Sequence, residues 1–95
     1  MATQEQIQEW KNTYGDVFKV TSGDKVCYLR SPKRKELAFA SMASKDNPLA
    51  FNEVILKSCW LGGDEEIKTN DAYFMGASQV IGEIIQIKEA KLEKL

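Results

Sequence analysis

The most strongly apolar helical pattern in the chain covers residues 48–61. Asn47 is a favourable N-cap, Pro48 suits the first helical position, and Gly62–Gly63 is predicted to end the helix. The apolar side chains lie on two sides of the helical wheel, with Phe51, Val54, Ile55 and Cys59 on one side and Leu49, Leu56 and Trp60 on the other. A helix that is apolar on two sides must be covered on both. We therefore predict that this helix is central to the fold.

Two β-prone runs on either side of residues 22–24 predict an antiparallel hairpin over about 16–30. The length of the loop decides the register. A two-residue loop gives the pairs Phe18–Leu29 and Val20–Cys27, and a three-residue loop gives Phe18–Tyr28 and Val20–Val26. Both registers place Phe18 and Val20 on the inward face, and the shorter loop is preferred. Because a lone hairpin is marginal in water, this face is expected to lie on helices or to join another chain's sheet.

Three more helices are predicted from caps and periodicity. Thr3 and Gln6 form a capping-box pattern at the start of a short N-terminal helix. Ser31–Pro32 opens a helix over about 32–44, in which Leu37, Phe39 and Met42 supply the bulk. Residues 69–71 supply caps for the longest helix, about 71–93, whose apolar residues cover roughly half of its circumference.

The predicted fold class is α+β: an N-terminal helix, one antiparallel hairpin and a bundle of three helices over about 32–44, 48–61 and 71–93. The chain has 95 residues, which predicts a single domain over 1–95. No apolar run approaches the about 20 residues of a membrane span, and the N-terminus lacks a signal-peptide pattern. We therefore expect a cytoplasmic protein that does not act at membranes.

The charge of the chain is unevenly distributed. The net charge is −1, which argues against general affinity for nucleic acid. Residues 19–57 contain eight Lys and Arg against four Asp and Glu, whereas residues 58–95 contain four against seven. Such a polarised surface favours steering of a protein partner or self-association.

The sequence lacks the usual catalytic groups. There is no histidine, which removes the Ser-His-Asp and Cys-His systems and the commonest zinc ligand. Cys59 falls in an apolar helix and is predicted to be a small buried hydrophobe rather than half of a disulfide with Cys27. Consecutive carboxylates at 64–66 lack the alternate spacing of a calcium loop. We expect no enzyme, no cofactor and no metal site.

A cluster of basic residues lies at the junction between the hairpin and the second helix, comprising Arg30, Lys33, Arg34 and Lys35. Cations at a helix N-terminus oppose the helix macrodipole, so their placement there is unfavourable locally. The functional interpretation is contact with phosphate or with an acidic partner, and the structural one is a solvated helix start. Trp60 beside the Gly-Gly stop is interpreted as a core residue, with an interface anchor as the alternative.

The chain resembles small phage and prophage tail assembly chaperones over about residues 14–90. The shared pattern is Y-G-D-V-F-K-V at 14–20, Y-L-R-S-P-K-R at 28–34 and N-E-V-I-L-K-S-C-W at 52–60, and W-L-G-G-D-E-E departs from it. The residues that carry the resemblance are Arg30, Pro32, Arg34, Asn52, Cys59 and Trp60. It implies a protein that holds the aggregation-prone tape-measure protein, or other tail components, until the tail tube assembles.

The leading hypothesis is therefore a non-enzymatic protein-binding or assembly factor. Its predicted partner-binding residues are Phe74, Ile81, Ile84, Ile85, Trp60, Arg30, Lys33, Arg34 and Lys35. The alternatives are a structural component of the virion and a small nucleic-acid-binding domain that uses the basic cluster at 30–35. The partner is expected to be a phage tail or tape-measure protein, or a second copy of the chain.

Overall fold

A three-stranded antiparallel sheet lies between the N-terminal helix and the remaining helices, which confirms the predicted α+β class. The computed structural model describes residues 2–85 and 87–95. Its elements are α1 (Gln4–Tyr14), β1 (Val17–Ser22), β2 (Lys25–Arg30), α2 (Arg34–Ala43), α3 (Pro48–Ser58), β3 (Trp60–Gly63), α4 (Glu66–Thr69), α5 (Asp71–Ile81) and a 3₁₀ turn (Gly82–Ile84).

The hairpin has the register that a two-residue loop requires. Phe18 pairs with Leu29 and Val20 pairs with Cys27, so the preferred alternative is confirmed. Cys27 and Leu29 face the helical layer and are fully buried. Tyr28 points to the other side of the sheet, where the ring of Trp10 from α1 covers it at a centroid distance of 5.6 Å. The alternation along β2 thus gives each face of the sheet its own helical cover.

A third strand follows α3 where only a helix stop was predicted. α3 ends at Ser58 rather than at 61, and β3 pairs antiparallel with β2. Gly63 lies opposite Cys27 with a φ of 130°, a conformation that side-chain-bearing residues rarely adopt. The next residue continues the pairing, since the Asp64 backbone N–H donates to the Val26 carbonyl at 2.8 Å. Glycine therefore serves here as a strand residue.

α3 occupies the centre of the helical layer, as predicted. It packs against α2 and against α5, and Ile55 and Leu56 are buried within the core. α5 lies on β1, where the Ser22 hydroxyl donates to the Tyr73 carbonyl at 2.7 Å. This hydrogen bond links the hairpin to the last α-helix, although the two are far apart in the sequence.

The last helix is much shorter than predicted, so the predicted range of 71–93 is wrong. α5 ends at Ile81, and Ile85 is already extended, with φ −82° and ψ 108°. Residues 87–95 have no regular secondary structure, and Leu92 and Leu95 are fully exposed. Residue 86 of the predicted range, like residue 1 of the predicted domain, lies outside the described residues. A short helix without a packing partner is only marginally stable in water, which explains the early end.

Candidate protein-binding surface

Two of the predicted partner-binding residues belong to the core. Ile81 is fully buried and Ile84 is 3% exposed, so their assignment to an exposed apolar surface is wrong. The reason is that α5 packs on β1 and α3, while the 3₁₀ turn brings Ile84 back onto the core. Phe74 and Ile85 are half-buried. Most of the apolar face predicted for the last helix is therefore used within the molecule.

Phe74 lines a cleft of about 540 Å³ between α3 and α5. Leu49 and Met75 form its exposed apolar wall, and Glu53 and Asp71 lie at its edge. We call this the α3–α5 cleft. Its lining includes the predicted residue Phe74 but none of the predicted basic residues.

Trp60 is half-buried and packs against the core, as its core interpretation predicts. The Nζ atom of Lys68 lies 4.3 Å from the centroid of a Trp60 ring and also pairs with a Glu65 carboxylate oxygen at 2.7 Å. The outer face of the indole is thus covered by a cation of its own chain.

Arg30 connects three elements of the fold. Its guanidinium forms a two-pronged ion pair with the Glu36 carboxylate and donates to the Ser58 carbonyl at 2.8 Å. β2, α2 and the end of α3 therefore meet at this side chain. The hydrogen bond from Arg30 lowers the pKa of Glu36 below its ordinary value, and the same bond raises the pKa of Arg30.

The Arg30–Glu36 pair also explains the unfavourable placement of cations at the start of α2. Glu36 is the third residue of the helix, and its Oε1 accepts from the Lys33 backbone N–H at 2.8 Å. A carboxylate therefore lies at the positive end of the helix dipole. Arg30 is structural, whereas Lys33, Arg34 and Lys35 are exposed to solvent.

An exposed apolar surface lies on α2, C-terminal to these three basic residues. Phe39 is 63% exposed and Met42 is 76% exposed, while Leu37 and Ala40 on the same helix face the core. Phe39 and Met42 line a cleft of about 530 Å³. We call this the α2 surface; its lining residues are Arg30, Lys33, Lys35, Glu36, Ala38, Phe39, Met42 and Ser58.

Sequence reasoning placed Lys33 and Lys35 on a candidate surface but missed Phe39 and Met42. The sequence predicts both as packing bulk of the helical bundle, whereas the structure exposes them. A signal was present in the spacing, since Lys35, Phe39 and Met42 follow at i, i+4 and i+7 and share one side of the helix. Leu37 and Ala40 form the opposing buried side. The sequence does not indicate which side the remaining elements cover.

The two cysteines are buried and unpaired, as predicted for Cys59. Burial raises the pKa of Cys27 to about 12 and that of Cys59 to about 11. Thiolates are the reactive form of cysteine. We therefore expect neither thiol to react with Ellman's reagent at pH 7 in the folded protein, and both to react after unfolding in guanidinium chloride.

A Ser41→Cys variant provides the control for thiol reactivity, because residue 41 is exposed on α2. Its added thiol should react at a rate close to that of a free cysteine. Reaction of Cys27 or Cys59 in the native protein at a similar rate would show that the cores around these residues open readily, contrary to their burial.

Within residues 2–85 and 87–95, no three His, Cys, Asp or Glu side chains are grouped so that they could hold a metal ion. None of the helices in those ranges combines the length and hydropathy that a membrane-spanning helix needs. No protein-family model, curated protein or solved structure matches this chain.

Proposed function

We propose that this protein is a non-enzymatic binding factor that holds a segment of another protein on its α2 surface. The observation that carries the proposal is the outward position of Phe39 and Met42 on a helix whose other side is already packed on the core. The role agrees with the resemblance to phage tail assembly chaperones. In that setting the partner is the tape-measure protein or another tail component, held in the host cytoplasm before assembly.

The energetics of the α2 surface favour a protein partner. Burying a phenylalanine or methionine side chain contributes about 1.5–3 kcal/mol, and a few such anchors dominate the affinity of most interfaces. Methionine adapts to irregular apolar surfaces because its side chain is unbranched and flexible. Lys33 and Lys35 edge the same cleft, which gives the apolar centre and charged rim that interfaces commonly show.

Binding is tested by titrating the purified protein with the tape-measure protein encoded in the same genome. We expect Phe39→Lys to weaken this binding by about 30-fold, because it removes an apolar anchor and places a charge in the contact. Met75→Lys is the matched control. Met75 is another exposed apolar residue on a helix, but it lies in the α3–α5 cleft, and its replacement should change the affinity less than about twofold.

The outcomes separate the candidate functions. Equal binding by wild type and Phe39→Lys would contradict the α2 surface as the site, and a loss confined to Met75→Lys would move the site to the α3–α5 cleft. Mass spectrometry of mature particles distinguishes a chaperone, which should be absent, from a structural component, which should be present. Tight binding of nucleic acid that falls steeply with salt and needs Lys33 and Lys35 would favour the nucleic-acid alternative.

A further inference from the structure

The exposed charge around the α2 surface is positive. Lys33, Arg34 and Lys35 are all exposed at the start of α2. Glu36 is the only carboxylate in the helix, and both of its oxygens are occupied: Oε1 accepts from Arg30 and from the Lys33 backbone N–H, and Oε2 accepts from Arg30. Glu36 is therefore neutralised by Arg30, and the exposed lysines are left to attract external negative charge.

In the part of the chain that the structure describes, the α3–α5 cleft lacks the unpaired exposed cations of the α2 surface. Its lining contains two carboxylates, Asp71 and Glu53, the second of which pairs with Lys57, and its cation, Lys68, is paired with Glu65. The α2 surface and the α3–α5 cleft thus suit different partners. Exposed cations beside Phe39 and Met42 distinguish the α2 surface from the α3–α5 cleft.

The spacing along α2 sets the size of the occupant. The α2 surface includes Lys35, Phe39 and Met42, which occupy positions i, i+4 and i+7 of the helix. The distance from the first to the last is about 10 Å along the helix axis, at about 1.5 Å per residue. That length corresponds to about two turns of a helix laid alongside α2. Apolar residues at i, i+3, i+4 and i+7 of such a helix would meet Phe39 and Met42, the arrangement found when an amphipathic helix lies in an apolar groove.

We infer that the α2 surface takes an amphipathic helix of the partner protein in which acidic residues flank the apolar stripe. The inference rests on the function proposed above and specifies the chemistry of the partner. The stripe covers Phe39 and Met42, and the carboxylates lie opposite Lys33 and Lys35. An antiparallel orientation adds to this attraction, because it places the partially negative C-terminal end of the bound helix beside the lysines.

The inference is tested with three synthetic helical peptides of about 18 residues, a length that allows measurable helix formation. One has a leucine stripe with glutamate flanks, one has the same stripe with lysine flanks, and one has the glutamate flanks with alanine in place of the leucines. Affinities are measured by calorimetry at low and moderate salt. We expect the acidic striped peptide to bind wild type about tenfold more tightly than the basic one, a preference that weakens as salt rises.

Charge reversal gives the sharpest comparison. The double variant Lys33→Glu/Lys35→Glu should prefer the basic striped peptide. The control Lys11→Glu/Lys19→Glu makes the same change in net charge on α1 and β1, at residues that do not line the α2 surface, and should keep the wild-type preference. All four substituted lysines are exposed, so the variants are expected to fold, which circular dichroism checks.

Failure of the inference is distinguishable from failure of the proposed function. The acidic and basic striped peptides could bind with equal affinity, and Phe39→Lys could abolish the binding of both. That result would overturn the acidic preference and leave the α2 surface as a binding site. Binding of both the tape-measure protein and the peptides that is insensitive to Phe39→Lys would overturn both.

Other occupants of the α2 surface are also outcomes of the test. Tighter binding of anionic lipid vesicles or of single-stranded DNA than of the acidic peptide, abolished by Lys33→Glu/Lys35→Glu, would overturn the inference. So would self-association in sedimentation experiments that Phe39→Lys removes, because the occupant would then be a second copy of the chain. Loss of affinity for the alanine-substituted acidic peptide supports the inference, since charge alone is not expected to suffice.

Discussion

Replacing Gly63 by alanine is expected to lower the free energy of unfolding by about 4 kcal/mol, a large part of the stability of a domain of this size. Two effects combine. The φ of 130° at Gly63 is unfavourable for any residue with a Cβ atom. A Cβ there would also lie 2.5 Å from the Val26 carbonyl oxygen and 2.5 Å from the Cys27 Cα, both backbone atoms of the adjacent strand. Urea unfolding followed by tryptophan fluorescence measures the change.

Two other glycines separate these effects. Gly15 has a φ of 87° and a ψ of −121° but open space around its Cβ position, so Gly15→Ala should cost only the backbone strain, about 1–3 kcal/mol. Gly82 has a helical φ of −59° and open space, so Gly82→Ala should be neutral or stabilise the protein by up to about 1 kcal/mol. If Gly63→Ala were no more destabilising than Gly15→Ala, the close contact between β2 and β3 would not exist as described.

Replacing Glu36 by glutamine is expected to destabilise the protein by about 3 kcal/mol at neutral pH. The side chains of Arg30 and Glu36 are only 17% and 19% exposed, so the substitution leaves a partly buried guanidinium without its counter-charge. Glu53→Gln is the control, because Glu53 and Lys57 form an exposed i,i+4 pair. Such surface pairs contribute at most about 0.5 kcal/mol. Equal effects of the two substitutions would contradict a structural role for Arg30.

The same ion pair predicts a dependence of stability on pH. The hydrogen bond from Arg30 lowers the pKa of Glu36 in the folded protein below its ordinary value of 4.5. The unfolded chain therefore binds the proton more readily than the folded protein does. The contribution of the ion pair to the free energy of unfolding is complete above the ordinary pKa of Glu36, and it is lost as the pH falls through the pKa of Glu36 in the folded protein. The difference in unfolding free energy between wild type and Glu36→Gln should be constant near neutral pH and shrink below about pH 4. A difference that is independent of pH would contradict it.

Local signals in the sequence predict the starts of α1, α3 and α5. The predicted start of the second helix at Ser31–Pro32 is wrong, because α2 begins at Arg34, where the Glu36 carboxylate accepts from the backbone N–H of the N-cap residue Lys33. Thr3 accepts from the Gln6 backbone N–H, Asn47 caps α3, and Asn70 caps α5, each as the residue types predict. The hairpin register also follows from local rules, because the alternation of apolar residues and the loop length agree. These features depend on neighbours within a few positions in the chain.

Features that depend on distant contacts were not predictable in the same way. Gly62–Gly63 has the composition of a helix stop, and its pairing with β2 depends on Asp64 reaching Val26. The apolar pattern beyond residue 81 is helical, but a helix there has nothing to pack on, so the helical turns end with Ile84. Tertiary packing decides both outcomes.

The candidate site shows the same division. The basic residues are recognisable in the sequence because their charge is unfavourable at the positive end of the helix dipole. Glu36, whose carboxylate offsets that charge, is three residues from the N-cap. The exposure of Phe39 is not recognisable from the sequence. A helical wheel shows which side chains lie together, but it does not show which side of the helix other elements cover. Only the packing of α2 on α3 determines that Leu37 and Ala40 turn inward.

The burial of both native thiols makes the chain a convenient scaffold for spectroscopic labels. Since Cys27 and Cys59 lie in the core with strongly raised pKa values, maleimide dyes and nitroxide probes should attach selectively to a single cysteine introduced on the exterior. One fluorophore at position 41, on the same helix as Phe39 and Met42, and a second on a partner peptide would report the distance between the two labels by energy transfer. The wild-type core needs no alteration for that experiment.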